Sequence, residues 1–251
     1  MGAWRDSVRR GGGVSRFDRR LIGCRSGREV DTPDRRCGRL ATVRGVIRSA
    51  TAALAGYLCG LLPTAQLVAR ALGGRVDPTR DGTGNPGTAN MAKLAGGSAA
   101  AAVLLGDAGK GVIAGRLGAR LAGDVGVHVG STAALIGHCF PVTRPGRGGK
   151  GVATSIGQVV VSFPAYFPID AAVAGVTYYA APFRRDARAA TMTASLVWVL
   201  SGLLWWRRKW PNLWGPRPSG GLALAAAVSA ATIAVRFEQG ARQEPRPQEP
   251  S

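Results

Sequence analysis

From about residue 49 onward the chain alternates long runs of Ala, Val, Leu and Gly with short polar loops. Apolar runs fall at 49–73, 125–142, 165–182, 189–206 and 219–236. Each is close to the ~20 residues that an α-helix needs to cross a bilayer. A further helix is predicted from Asn90 to about residue 119, small and apolar except for Asp107, Lys110 and Arg116. Residues 152–163 are apolar but short for a crossing. The pattern predicts an all-α, polytopic integral membrane protein of about seven transmembrane helices, the fourth short or broken. A short helix at membrane depth is tolerated where its backbone ends are buried in protein or line a wet cavity.

Three regions follow from the same pattern. Residues 1–46 are rich in Arg and Gly, lack the apolar core of a secretory signal, and read as a disordered basic extension. Residues 47–238 hold the spans, and 239–251 read as a polar, proline-punctuated, disordered tail. Small residues dominate the spans, so their helices are expected to pack by close backbone approach, with Gly111 and Gly115 as one such pair. Trp205, Trp206, Trp210 and Trp214 flank one span end, as an interfacial aromatic belt does.

The net charge of +19 would fit a nucleic-acid binder, but the cations lie in loops between apolar spans and no basic–aromatic binding module is present. No nucleic-acid partner is expected. Membrane lipid is, because basic loops enrich on the cytoplasmic side and face anionic headgroups. Loops near 75–93, 144–150 and 184–188 each carry three basic residues and would share a side with the C-terminus. This favours a cytoplasmic face for them, although Arg207, Arg208 and Lys209 would then lie outside. Cys24, Cys37, Cys59 and Cys139 form no CxxC pair and no ligand spacing with His128 and His138, so no metal site is expected.

Three elements can carry chemistry. In the loop from Asp77 to Asn90, Gly82, Gly84 and Gly87 free the backbone; Thr83, Asn85, Thr88 and Asn90 supply polar groups, and Arg80 supplies charge. The following helix points the positive end of its dipole at this loop, which suits phosphate or a plain capped turn. Within that helix Asp107 and Lys110 are three residues apart and can pair on one face; intramembrane charges are costly and are paired or functional. The third element is the cationic turn after His138, in which Gly148, Gly149 and Gly151 surround Lys150 ahead of Thr154. Bare backbone N–H groups around a lysine form a concavity for an anionic oxygen group. It is not a nucleotide P-loop, because Arg144 and Gly151 stand where that pattern needs Gly and Ser or Thr. His138 is a candidate acid–base group, or a histidine that only hydrogen-bonds backbone. Neither a Ser/His/Asp order nor a pair of carboxylates stands out.

These motifs resemble those of the acyl-phosphate:glycerol-3-phosphate acyltransferases of bacterial inner membranes. Gly82–Asn90 resembles GSGNxGATN, Asp107 to Gly111 resembles DxxKG, and Gly137 to Thr154 resembles GHxxPV…GGKGVAT, in the family's order across about 49–240. The resemblance implies a seven-helix inner-membrane enzyme with its active site facing the cytoplasm. It would transfer an acyl group from acyl phosphate to the 1-hydroxyl of glycerol 3-phosphate, making lysophosphatidic acid with no metal or organic cofactor. Lys150, Gly148, Gly149, Gly151 and Thr154 would hold a phosphate. Thr83, Asn85, Thr88 and Asn90 would position the other substrate, and Asp107, Lys110 and His138 would complete the site. The chain departs from the pattern at Leu61, where the family has Ser, and at 235–242, where only Arg236 remains of a basic motif. A weakened paralogue that binds a phosphorylated lipid precursor stays open, as does a small-anion transporter, although the repeated halves expected of a transporter are not visible.

Overall fold

The computed structural model describes residues 35–180 and 182–243; the greater part of the basic extension and residues 244–251 of the tail lie outside them. The described residues are helical, without strands: α1 Arg35–Gly60, α2 Thr64–Ala71, α3 Thr88–Cys139, α4 Val152–Ser162, α5 Phe167–Tyr179, α6 Ala187–Arg208 and α7 Gly220–Gln243. Helix thus begins at Arg35 and runs on to Gln243, inside both stretches read as polar ends.

Among the described residues three segments are long and apolar enough to cross a membrane: Thr42–Ala71, Ala187–Arg208 and Gly220–Ala241. Val152–Ser162 is apolar but shorter, as the pattern predicts. The count of about seven crossings is therefore coarser in the structure: three clear spans, one short apolar helix, and a long charged α3.

The predicted spans 90–119 and 125–142 are the two arms of α3, which leaves helical geometry at Ala122 and Gly123. The arms then pack antiparallel. Gly118 lies so close to Gly126 that a Cβ on either would collide with the other's carbonyl, and Gly130 meets the Ala114 carbonyl in the same way. A second break at Gly96 sets off the first turns of α3. The unbroken helix expected over 49–73 is corrected: it stops at Gly60 and restarts at Thr64. Pro63 lacks an N–H and cannot continue the ladder.

Small residues decide which helices touch. The Gly111–Gly115 face of α3 receives α4, with Gly111 against the Thr154 carbonyl and Gly115 against Val161; Gly157 of α4 fits against Ala108. Gly56 and Gly60 of α1 lie against Gly130 and Ala134 of the returning arm. Helices α5, α6 and α7 pack in sequence, and α7 closes on α3. A polar core links three helices: Gln158 donates to Thr132 at 2.9 Å and accepts from Ser229 at 2.8 Å. Trp206, Trp210 and Trp214 are exposed at the far end of α6, where a headgroup belt would sit.

Candidate functional site

The break in the first span leaves carbonyls without helical partners, and cations from distant segments take them. Lys110 Nζ donates to the Leu62 carbonyl at 2.8 Å, and the Arg144 guanidinium donates to the Leu61 carbonyl at 2.8 Å. Lys110 also pairs with Asp107 Oδ1 at 2.8 Å, and both side chains are 2% exposed. His138 Nδ1 lies 3.2 Å from Lys110 Nζ and 3.7 Å from Asp107 Oδ1. A buried carboxylate, ammonium and imidazole therefore meet where two helix arms face a helix end. The i,i+3 pair expected from the sequence is formed, and its third partner is His138.

Asn90, at the start of α3, folds the glycine loop around itself. Its Oδ1 accepts from the Thr83 N–H at 2.9 Å; its Nδ2 donates to the Pro78 and Asp81 carbonyls at 3.1 and 3.0 Å. Gly82 has φ +64°, and a Cβ there would strike Asn90 Oδ1, so both conformation and space require glycine. Asp77 anchors the front of the loop by accepting from the Thr79 hydroxyl at 2.6 Å and N–H at 2.9 Å.

The cationic turn is held from two sides. The Gly149 N–H donates to the His138 carbonyl at 3.2 Å, and Gly149 lies directly against His138 Nε2. From α7, Arg236 donates through Nε to the Gly149 carbonyl at 3.1 Å and through its terminal nitrogen to the Gly148 carbonyl. With those carbonyls drawn toward Arg236 and α4 starting at Val152, the turn is fixed while Lys150 stays half-buried, its ammonium 4.7 Å from the centre of the Phe237 ring. Gly151 has φ +85° and abuts Cys139 Sγ, which excludes a side chain.

Two adjoining cavities result. One, of about 290 Å³, is lined by Thr83, Asn85, Gly87, Thr88, Asn90, Asp107, His138, Lys150 and Gly151, and by an apolar wall including Leu104, Val152, Ile156 and Phe237. The other, of about 350 Å³, is polar and cationic, lined by Arg80, Gly82, Thr83, Gly84, Asn85, Gly148, Lys150 and Arg236. Thr83, Asn85 and Lys150 face both. The structure thus gathers all three sequence motifs at one end of the bundle. Lys110 stands behind this surface, bonded to residues that form it, and Gly149 is buried beneath Arg236 and His138. Thr154 lines neither cavity: it is fully buried, its carbonyl against Gly111 and its hydroxyl without a partner. Among the described residues no group of three or more His, Cys, Asp or Glu could hold a metal ion.

A family profile described as glycerol-3-phosphate acyltransferase matches residues 50–243, the stretch that contains every element of this site. The chain belongs to the glycerol-3-phosphate acyltransferase family. A protein of that name from Rubrobacter xylanophilus is 46% identical over 112 residues, 44% of this chain and 55% of its own length. One from Pseudomonas aeruginosa is 35% identical over 177 residues, 62% of this chain and 90% of its own length. This chain spans little more than half the length of the Rubrobacter xylanophilus relative and of one from Shewanella loihica. The fold is also that of the crystal structure of PlsY, an integral membrane glycerol 3-phosphate acyltransferase, in its glycerol 3-phosphate form: TM-score 0.61, 24% identity, 78% of this chain and 90% of that one.

Two parts of this family member's site were not among the sequence candidates. Arg236 was visible only as a remnant of a basic motif, yet it grips the cationic turn. Arg144 reaches a carbonyl 83 residues away, for which no local pattern exists.

Proposed function

We propose that the protein is a glycerol-3-phosphate 1-O-acyltransferase that uses acyl phosphate as donor and makes lysophosphatidic acid for phospholipid synthesis. The two adjoining cavities that share Thr83, Asn85 and Lys150 carry this reading. Glycerol 3-phosphate is small and wholly polar, which suits the cationic cavity around Arg80, Gly84 and Arg236. Acyl phosphate has a charged head and an apolar chain, which suits the cavity walled by Leu104, Ile156 and Phe237. Lys150 at their junction reaches the phosphate of either.

The 1-hydroxyl oxygen of glycerol 3-phosphate attacks the acyl carbonyl carbon. The bond from that carbon to the bridging phosphate oxygen breaks, and orthophosphate leaves with the hydroxyl proton. No base from the protein is required, because the departing phosphate accepts that proton. The Lys150 ammonium and the backbone N–H groups of Lys150 and Gly151 stabilise the charge that builds on the phosphate, and Asn85, Thr88 and Thr83 orient the hydroxyl. Asn90 holds the loop that presents them. Asp107, Lys110 and His138 act by position: they lock the broken first span against the turn. Thr154 fixes the first turn of α4 beneath it.

The setting is the bacterial inner membrane, with about seven crossings in which α3 supplies two and α4 is short, and with the site at the cytoplasmic face. The basic loops at 75–93, 144–150 and 184–188 support that orientation.

The test is phosphate release and lysophosphatidic acid formation by the detergent-purified chain given acyl phosphate and glycerol 3-phosphate. Release that falls ~10²- to 10³-fold in Lys150→Ala is the expected result. Retained binding of glycerol 3-phosphate with no release from the wild-type chain would establish a binding-only paralogue instead.

A further inference from the structure

A third cavity, of about 320 Å³, lies behind the active centre, between α2 and the loop that precedes α3. Its wall includes Gln66 and Arg70 from α2, Asp77 and Thr79 from the loop, and Arg144 and Arg147 from the cationic turn. Of the elements assigned to substrate it meets only the cationic turn and the first residues of the glycine loop, ahead of Gly82. Three guanidinium groups therefore face a single carboxylate. The Asp77 carboxyl is held below its ordinary range, chiefly by the Thr79 hydroxyl, so its charge is counted at neutral pH and the wall remains net cationic. Among the described residues neither the Arg70 nor the Arg147 guanidinium makes a hydrogen bond. The Gln66 amide nitrogen is buried and has no partner either. Arg70 and Arg147 are exposed, so water can serve them, whereas a buried donor without an acceptor, as at Gln66, is uncommon and costs free energy until one arrives. Planar guanidinium forks match tetrahedral oxyanions and bind them through paired N–H groups.

A small void also adjoins both this cavity and the active centre. A narrow waist of about 10 Å³, the space of roughly one water, is lined by Gln66, Arg144 and Arg147 on the cavity side and by Asp107, His138 and Gly149 on the other. Asp107 and His138 also line the cavity proposed for acyl phosphate. Shared lining residues thus place the arginine-lined cavity next to the active centre, across the Leu61–Pro63 break, with Arg70 and Arg147 exposed at its outer wall.

We propose that this arginine-lined cavity is a second oxyanion site, which takes the orthophosphate leaving the active centre and delivers it to solvent on the side away from the acyl chain. The identity of the ion's source rests on the acyltransferase reading; the binding site itself does not. The waist is narrower than the ion, so passage requires the Arg144 or Gln66 side chain to swing aside. The same chemistry could be met by the phosphate of an anionic lipid headgroup, and the experiment separates the two.

The full chain, in detergent, is dialysed to equilibrium against radiolabelled orthophosphate. A second equivalent of bound phosphate is expected, one that glycerol 3-phosphate does not displace. It should weaken at least ~10-fold in Arg70→Glu and in the near-isosteric Gln66→Met, while Lys150→Ala removes only the displaceable equivalent. Unaltered glycerol 3-phosphate binding in Arg70→Glu and Gln66→Met shows that those variants are folded. A single fully displaceable equivalent, or a second one indifferent to both substitutions, overturns the proposal. Loss of the second equivalent in nanodiscs containing phosphatidylglycerol, but not in phosphatidylcholine alone, assigns the site to a lipid headgroup and also overturns it. Failure of acyl transfer with the second equivalent intact sinks the acyltransferase reading and spares the site; acyl transfer without that equivalent does the reverse.

Discussion

Asn90 is the residue on which the glycine loop turns. One side chain satisfies an N–H and two carbonyls that come from three places in the loop. Asn90→Ala should unfold residues 77–90 locally, at a cost of about 2–3 kcal/mol, and hydrogen exchange should read this as lost protection there with the bundle unchanged. Lys110 is the second such residue. Lys110→Met leaves the Asp107 carboxylate buried and unpaired, which should cost about 3–5 kcal/mol. The double substitution Asp107→Asn with Lys110→Met should recover much of that loss in a detergent unfolding assay, though not the activity. A double variant as unstable as Lys110→Met would show that the Leu62 carbonyl, rather than the ion pair, is what Lys110 serves.

Between helices, contact is governed by what is missing from glycine. Gly157 places α4 against the backbone of α3 at Ala108, which lies between the two members of the buried pair. The cationic turn leads straight into α4, so the α3–α4 distance also sets where Lys150 stands. Gly157→Leu should therefore wedge the helices apart, cost about 1–3 kcal/mol or more, and lower kcat for acyl transfer well beyond any change in KM. Equal losses in both would argue that α4 merely supports the fold. The polar link from Gln158 to Thr132 and Ser229 holds the same helix from its other side. Its partners lie on α3 and α7, so the turn is registered against both.

At the scale of the molecule, charge and topology make a single testable statement. If the site loops face the cytoplasm, single cysteines at Arg147 and Arg185 in an otherwise cysteine-free chain should react with an impermeant maleimide only from that side, and one at Trp214 only from the other. Labelling of all three from one side would remove the crossings assigned to α6. Much of this was legible beforehand. Helices follow from apolar runs, and loop chemistry follows from where Gly, Asn and Lys cluster, because both are local properties of a chain. The Asp107–Lys110 pair was legible for the same reason, since three residues of helix bring the two side chains together. What the sequence by itself determined, then, is where the apolar helical segments lie and where the glycine-lined loops join them. What only the tertiary structure decided is how they are held: the first span broken so that Lys110 and Arg144 can reach its carbonyls, His138 closing on Lys110, and Arg236 clamping the cationic turn. Those contacts join residues 28 to 88 positions apart. They form because backbone and charge buried away from water must find partners wherever the packing brings them, and no periodicity along the chain encodes that meeting.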